Sequence, residues 1–285
     1  MIPALSQNSL PVGILMNRAS FPRLPGDIGN PATFPFAVRY RMVPGTTYHD
    51  VVEALQEERL LVPFIAAAQA LEQEGVCAIT TSCGFLALFQ RQLSAAVRVP
   101  VYTSALLQLP MIAAALPPGK RVGILTADSA NLTPRHLAAA GASYCPVTVM
   151  GMEHTTEFSS FLRENRTSFD AEKCRQEHIE AALELIRRDP GIGAILLECT
   201  NMPPLGAGYP LGHPPAGLRL PHHAVRGSGG TPPAGLQHLT LGPADSFPLL
   251  AGPFWQFDSL FLRILHSSAR AGSTNHTLTR FAPMM

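Results

Sequence analysis

Gly75-Val76-Cys77-Ala78-Ile79-Thr80-Thr81-Ser82-Cys83 and Gly191-Ile192-Gly193-Ala194-Ile195-Leu196-Leu197-Glu198-Cys199 are the same sentence written twice. Both read glycine, a β-branched residue, any residue, Ala-Ile, three variable residues, then cysteine. A second pair lies upstream of each: Val12-Gly13-Ile14-Leu15 and Val122-Gly123-Ile124-Leu125. Each half of the chain thus places a Val-Gly-Ile-Leu strand first and an Ala-Ile strand ending in cysteine later. Short apolar runs of this kind are buried parallel strands rather than half-exposed ones. Two related halves packed face to face would bring two thiols to one cleft, an arrangement suited to an acid and a base on opposite sides of a carbon atom.

Working outward, strand and helix patterns alternate. In the first half, strands are expected at 12–16, 36–43, 77–81 and 99–103. Helices are expected at 50–74, broken or kinked near Pro63, at 85–96 and at 106–115. Pro117-Pro118-Gly119-Lys120 marks the passage to the second half. There, strands are expected at 121–126, 147–150 and 192–197. A short helix is opened by Thr133 as N-cap and Pro134 at its first position, and is ended by Gly141. A strong helix spans 171–188. The fold class is therefore α/β, with two pseudosymmetric doubly wound parallel-sheet halves. The division read from the chain is 10–117 with Cys83, 118–204 with Cys199, and 205–285 as an irregular Pro/Gly-rich tail. Lysine is absent from Leu205 to the end. From Leu205 to Pro253 no period is visible and poor order is expected, while 254–266 regains helical character.

Composition narrows the function. Of the 285 residues, 46% are hydrophobic and 14% charged, and the net charge is +1, so nothing electrostatic argues for nucleic acid or an anionic membrane. No apolar run is long enough to span a bilayer. The start, Met1-Ile2-Pro3-Ala4-Leu5-Ser6-Gln7-Asn8, lacks a basic segment followed by an apolar one, so no signal peptide and a cytoplasmic location are expected. Five unevenly spaced cysteines then read as reduced thiols. No cysteine or histidine cluster has zinc-ligand spacing. Neither metal nor other cofactor is expected. The expected partner is a small-molecule carboxylate, with a homodimer as the candidate assembly.

In an open parallel sheet, ligands bind beyond the carboxyl ends of the strands, where Cys83 and Cys199 both fall. Thr81, Ser82 and Gly84 bracket the first, and Thr200 and Asn201 the second. Hydroxyls, an amide and backbone N–H groups at such turns can cradle a carboxylate, and the turn is expected to favour a thiolate. Cys77, Cys145 and Cys174 read instead as small apolar residues. Arg39 and Arg41 alternate on a strand and read as a solvated or edge face.

Thr81-Ser82-Cys83-Gly84-Phe85, Glu198-Cys199-Thr200-Asn201-Met202-Pro203 and the two half-repeats resemble the aspartate/glutamate/hydantoin racemase superfamily. The loop Phe21-Pro22-Arg23-Leu24-Pro25-Gly26-Asp27-Ile28-Gly29-Asn30-Pro31 resembles a less characterised branch of it. The resemblance covers roughly Leu10 to Pro204. It implies a cofactor-independent racemase, an isomerase, in which one cysteine thiolate takes the α-proton and the other thiol returns a proton to the opposite face. Cys83 and Cys199 would be that pair. Asn17, Thr81, Ser82, Gly84, Thr200 and Asn201 would line the carboxylate and amine pocket. Two alternatives stay open: a one-cysteine isomerase or decarboxylase of the same superfamily, and, as a different class, a catalytically idle small-molecule binding protein that keeps the fold.

Three departures stand out. Asn201 occupies the place of a histidine common in glutamate racemases. Glu198 stands where relatives often have glycine, and it would either raise the Cys199 pKa by like-charge repulsion or point away into solvent. The tail does not resemble the family's closing helix, strand and helix.

Overall fold

The computed structural model describes residues 10–54, 57–206 and 249–251. Two four-stranded parallel sheets share one plan. The first contains β1 (Val12–Met16), β2 (Val38–Met42), β3 (Ala78–Thr81) and β4 (Val101–Tyr102), in the order β2-β1-β3-β4. The second contains β5 (Arg121–Thr126), β6 (Val147–Gly151), β7 (Ile192–Leu197) and β8 (Leu249–Ala251), in the order β6-β5-β7-β8. The repeated motifs are the two inner strands of each sheet. Gly13 pairs with Ile79 in one and Gly123 with Ile195 in the other.

The repeated glycines have the same job. The long helix α1 (Glu57–Gln73) lies against β1, where a Cβ on Gly13 would sit 2.9 Å from Leu71. Its counterpart α6 (Ala171–Arg188) lies against β5, where a Cβ on Gly123 would sit 2.9 Å from Leu185. Each glycine lets a leucine of the covering helix reach the strand backbone. Leu71 and Leu185 are fully buried, each contributing roughly 1.5–3 kcal/mol of burial.

Shorter helices complete the layers. They are α2 (Gln90–Ala96), α3 (Leu109–Ala115), α4 (Pro134–Ala139), α5 (Phe158–Arg163) and α7 (Pro203–Gly206). Tight 3-10 turns at Gly84–Phe89 and Ala105–Gln108 precede α2 and α3, so these two expected helices start as narrower turns. α4 opens at Thr133 and Pro134 as its capping chemistry dictates, and Gly141 beyond it has φ +72°. Helix α1 runs through Pro63; before it the chain makes one wide π turn at His49–Glu53, so the expected 50–74 helix starts late. Helix α5 has no sequence signal strong enough to predict it, being six residues long.

One apolar cluster crosses from the first half into the second, including Leu15, Phe85, Val122, Ile124 and Leu196. Phe85 meets His136 of α4 edge-on, with ring centroids 5.2 Å apart. The two halves therefore share part of their core, and the seam between them is packed.

Arg39 and Arg41 lie on β2, at the sheet edge; Arg39 is exposed and Arg41 pairs with Glu74. Strand β8 lies within the stretch read as having no regular element, pairing Leu249 with Ala194. The expected poor order between Leu205 and Pro253 otherwise falls outside the described residues, as does the expected helix at 254–266. No described helix is long and apolar enough to cross a membrane.

Candidate active site

The inner strands end at the seam. In the first half the Ser82 N–H donates to Leu15 O, and in the second the Glu198 N–H donates to Leu125 O, both at 2.9 Å. These equivalent bonds extend the ladders one residue past β3 and β7. The next residue in each half is the cysteine. Cys83 and Cys199 consequently line one cleft, partly open to solvent, with about 440 Å³ of empty space.

Asn17, Ser82, Gly84 and Asn201 line the same cleft. The Asn17 backbone N–H donates to Ser82 Oγ at 2.9 Å, joining the ends of β1 and β3. Thr81 and Thr200 do not line it. The Thr81 hydroxyl donates to the carbonyls of Cys83 and Thr103, shaping the turn from below. The Thr200 hydroxyl donates to Ser82 O at 2.7 Å, clasping one half to the other. Both are committed to the frame, and neither is free for a substrate.

The Pro/Gly loop closes one side. Asp27 is buried and accepts from the Gly29 N–H, from Arg23 and from Asn201 Nδ2, the last at 2.6 Å. Asn30 caps the 3-10 turn that follows and donates to Arg23 O. The loop thus holds Arg23 at the cleft, over the ring of Phe21. Arg18 and Tyr48 line the cleft as well, with no sequence motif to mark them, and so does Glu198, for which the sequence left repulsion of Cys199 and solvation both open. Arg18 is exposed at the rim and makes no ion pair among the described residues. Tyr48 comes from the turn before α1, which the strand-end rule does not reach.

The two thiols have unequal surroundings. Burial, then the Glu198 charge, pushes the Cys83 thiol up to about 12. Against that, the Phe85 N–H, the Arg23 charge and the Asn17 side chain all favour the thiolate. Cys199 is pushed well above its usual value by burial, Glu198, Cys83 and Asp27, with only the Asn201 N–H opposing. Its S–H donates to Asn201 Oδ1 at 3.6 Å. The two cysteines line the cleft and are partly buried by area, yet both thiols are deeply placed. The expectation that the strand-end turn alone would lower the thiol pKa is corrected: desolvation in a narrow cleft outweighs it.

Glu198 does not point into solvent. It is fully buried, with Oε2 accepting from Thr126 Oγ1 at 2.8 Å and the Ala127 N–H as a further donor. Burial raises its pKa to about 7. Gly84 is required beside it: a Cβ there would fall 2.7 Å from Glu198 O and closer still to Oε1. Cys145 and Cys174 are buried in the apolar cores, and Cys77 sits half-buried at the head of β3. Among the described residues no group of three or more His, Cys, Asp or Glu could hold a metal.

Comparison with known proteins gives the family. The family model Asp/Glu/Hydantoin racemase matches residues 38–210. The chain belongs to that family. Within it, curated relatives have a different activity from the racemases. A dimethylsulfoniopropionate lyase of Durusdinium sp. clade D is 34% identical over 188 residues, covering 64% of this chain and 62% of that protein. Dimethylsulfoniopropionate lyase 6 of Emiliania huxleyi is 28% identical over 202 residues, covering 68% of this chain and 52% of that protein. This family member therefore spans about half to three-fifths of the length of those relatives. Among solved structures, an aspartate racemase homologue from Pyrococcus horikoshii has a TM-score of 0.44 at 16% identity, covering 68% of this chain and 87% of that one. Arylmalonate decarboxylase has a TM-score of 0.41 at 16% identity, covering 66% and 78%. Likenesses this remote add nothing to the fold already described.

The expected enzyme class, an isomerase of the amino-acid racemase type, is overturned by the lyase names of these relatives. The paired-cysteine motif pointed to the superfamily but not to the reaction this chain catalyses.

Proposed function

We propose that this chain is a lyase that removes the α-proton of a small carboxylate with one cysteine and expels a leaving group from the neighbouring carbon. Dimethylsulfoniopropionate, the substrate named for the relatives, is the proposed substrate. The observation that carries the reading is the inequality of the two thiols. A racemase needs two groups that exchange the roles of acid and base, depending on which enantiomer enters. Here Cys83 has three partners that favour its thiolate, while Cys199 donates its proton to Asn201. One base and one neutral donor suit a reaction that runs one way.

In this reading the Cys83 thiolate takes a hydrogen from C2 of the substrate as a proton. The C–H electron pair becomes the C2–C3 double bond. The C3–S pair leaves with sulfur, so the sulfonium departs as neutral dimethyl sulfide and acrylate remains. Arg18, a rim cation that makes no ion pair among the described residues, is the partner for the substrate carboxylate. The ring of Tyr48, which lines the cleft, is the proposed partner for the sulfonium, an interaction worth about 0.5–2 kcal/mol. Cys199 stays neutral, and its S–H turns from Asn201 Oδ1 toward the substrate carboxylate as negative charge moves onto it.

The test is direct. Purified protein is incubated with dimethylsulfoniopropionate, dimethyl sulfide is followed in the headspace, and acrylate is followed by proton NMR. Equimolar release of both is expected. Binding without release would favour the idle binding protein, and absence of both would defeat the assignment.

A further inference from the structure

Elimination has a proton balance that racemisation does not. A racemase returns the proton it takes. An elimination of this kind consumes a neutral zwitterion and yields an anion, so each turnover must deliver one proton to solvent. A thiol desolvated as deeply as that of Cys83 is a poor source of a thiolate unless a base nearby accepts its proton.

The two half-repeats differ at the residue that matters. Ser82 and Glu198 are equivalent positions, joined to equivalent strands by equivalent bonds. The serine is a small frame group. The glutamate is fully buried, and it is the one carboxylate among the described residues lining the cleft. Its Oε2 is anchored by Thr126. Its Oε1 is buried with no hydrogen-bond partner among the described residues. That oxygen is pressed toward the α-carbon of Gly84, next to Cys83, while the residue itself precedes Cys199. The carboxylate acts electrostatically on both thiols.

Resting on the lyase reading, we propose that Glu198 is the general base that receives the Cys83 thiol proton on Oε1, directly or across one water, and carries it to solvent. The steps balance. The S–H proton passes to Glu198 and leaves the electron pair on sulfur. That pair takes the C2 proton, so Cys83 is again a thiol when the sulfide and the acrylate depart. The proton held by Glu198 is the net proton of the reaction, and its loss to solvent resets the site. Glu198, with a pKa near 7, is suited to accept and release a proton near neutrality. The other titratable or charged groups facing it across the cleft are Cys83, Cys199, Tyr48, Arg18 and Arg23, with Asp27 behind Asn201.

Steady-state elimination of dimethylsulfoniopropionate by wild type, Glu198→Gln and Glu198→Ala, measured from pH 5.5 to 9.5, tests this. Wild-type kcat is expected to rise with pH and level off above about 7. Glutamine keeps the oxygen that accepts from Thr126, so the fold is expected to survive. At pH 7.5 its kcat should fall roughly 10²–10⁴-fold, and its profile should climb without levelling, as hydroxide replaces the missing base. Glu198→Ala should regain activity in proportion to added sodium formate, which a purely structural role would not produce. A Glu198→Gln profile that still levels near 7, activity within threefold of wild type, or an inactive but folded Glu198→Ala that formate cannot rescue would each overturn the proposal. Wild-type protein with no elimination at all would bring down the lyase reading itself, a result distinct from an active wild type and an indifferent Glu198→Gln.

Discussion

Gly84→Ala is a one-methyl change whose consequences can be worked out from the seam. The added Cβ would lie 2.7 Å from Glu198 O and 2.9 Å from Glu198 Cδ. An ordinary carbon–oxygen contact is about 3.3 Å or more, so the backbone contact falls short by roughly half an ångström. The side chain cannot simply swing aside, because Glu198 is fully buried and anchored at Thr126. The carbonyl cannot move without shifting the turn that carries Cys199. The two halves must part or the Glu198 carboxylate must be expelled, and overpacking of this kind costs about 1–3 kcal/mol. The cleft pays more than the fold, since a shift approaching 1 Å between reacting groups can cost about 10²-fold in rate. The assay pairs thermal unfolding with kcat/KM for dimethyl sulfide release. A control is Gly45→Ala, where the new Cβ meets nothing within 4 Å and only the φ of +69° is strained; it should lose about 1–2 kcal/mol of stability and keep its kcat. Gly84→Ala with unchanged melting and unchanged kcat/KM would refute the argument that this glycine exists to seat Glu198 between the cysteines.

Other expectations follow from the same geometry. Cys83→Ser should lose elimination by at least about 10³-fold, because a hydroxyl is a far weaker base than a thiolate, while Cys199→Ser should lose only about 10–10²-fold as a donor replaced by another; equal losses, by kcat, would contradict the assigned roles. Glu198 has a folded pKa raised from 4.5 to about 7, so its neutral form stabilises the fold fully below pH 4.5 and that contribution is lost as pH rises through 7. Denaturant titrations should show Glu198→Gln gaining on wild type by up to about 3 kcal/mol between pH 4.5 and 8. His178 behaves in the opposite sense. It is buried, donates Nδ1–H to Cys174 O at 2.6 Å and has a pKa lowered from 6.5 to about 4 by burial, so stability present above 6.5 should be lost as pH falls toward 4. Its ring signals in proton NMR should not titrate near 6.5. Elimination should also survive exhaustive dialysis against a chelator, and loss restored by added metal would contradict a cysteine-based mechanism.

Much of this protein was legible before any coordinates. The period of the apolar residues and the repeated Val-Gly-Ile-Leu and Ala-Ile motifs determined two parallel sheets with matched inner strands, because strand burial and glycine packing against a helix are written locally. The strand-end rule pointed to Ser82, Cys83, Gly84, Cys199 and Asn201, and the family resemblance added Asn17; all six line one cleft. What the sequence could not decide was which neighbours face one another across the seam. Thr81 and Thr200 look like substrate hydroxyls until their partners are seen to be backbone carbonyls. Tyr48 and Arg18 reach the cleft from a turn and a strand end with no motif to announce them. Glu198 reads equally well as a solvated carboxylate or a site residue, and only the approach of Gly84 from the other half shows it to be buried. The thiol pKa values followed the same logic: a turn that would favour a thiolate in isolation is overridden by desolvation, a property of the whole assembled cleft rather than of any stretch of chain.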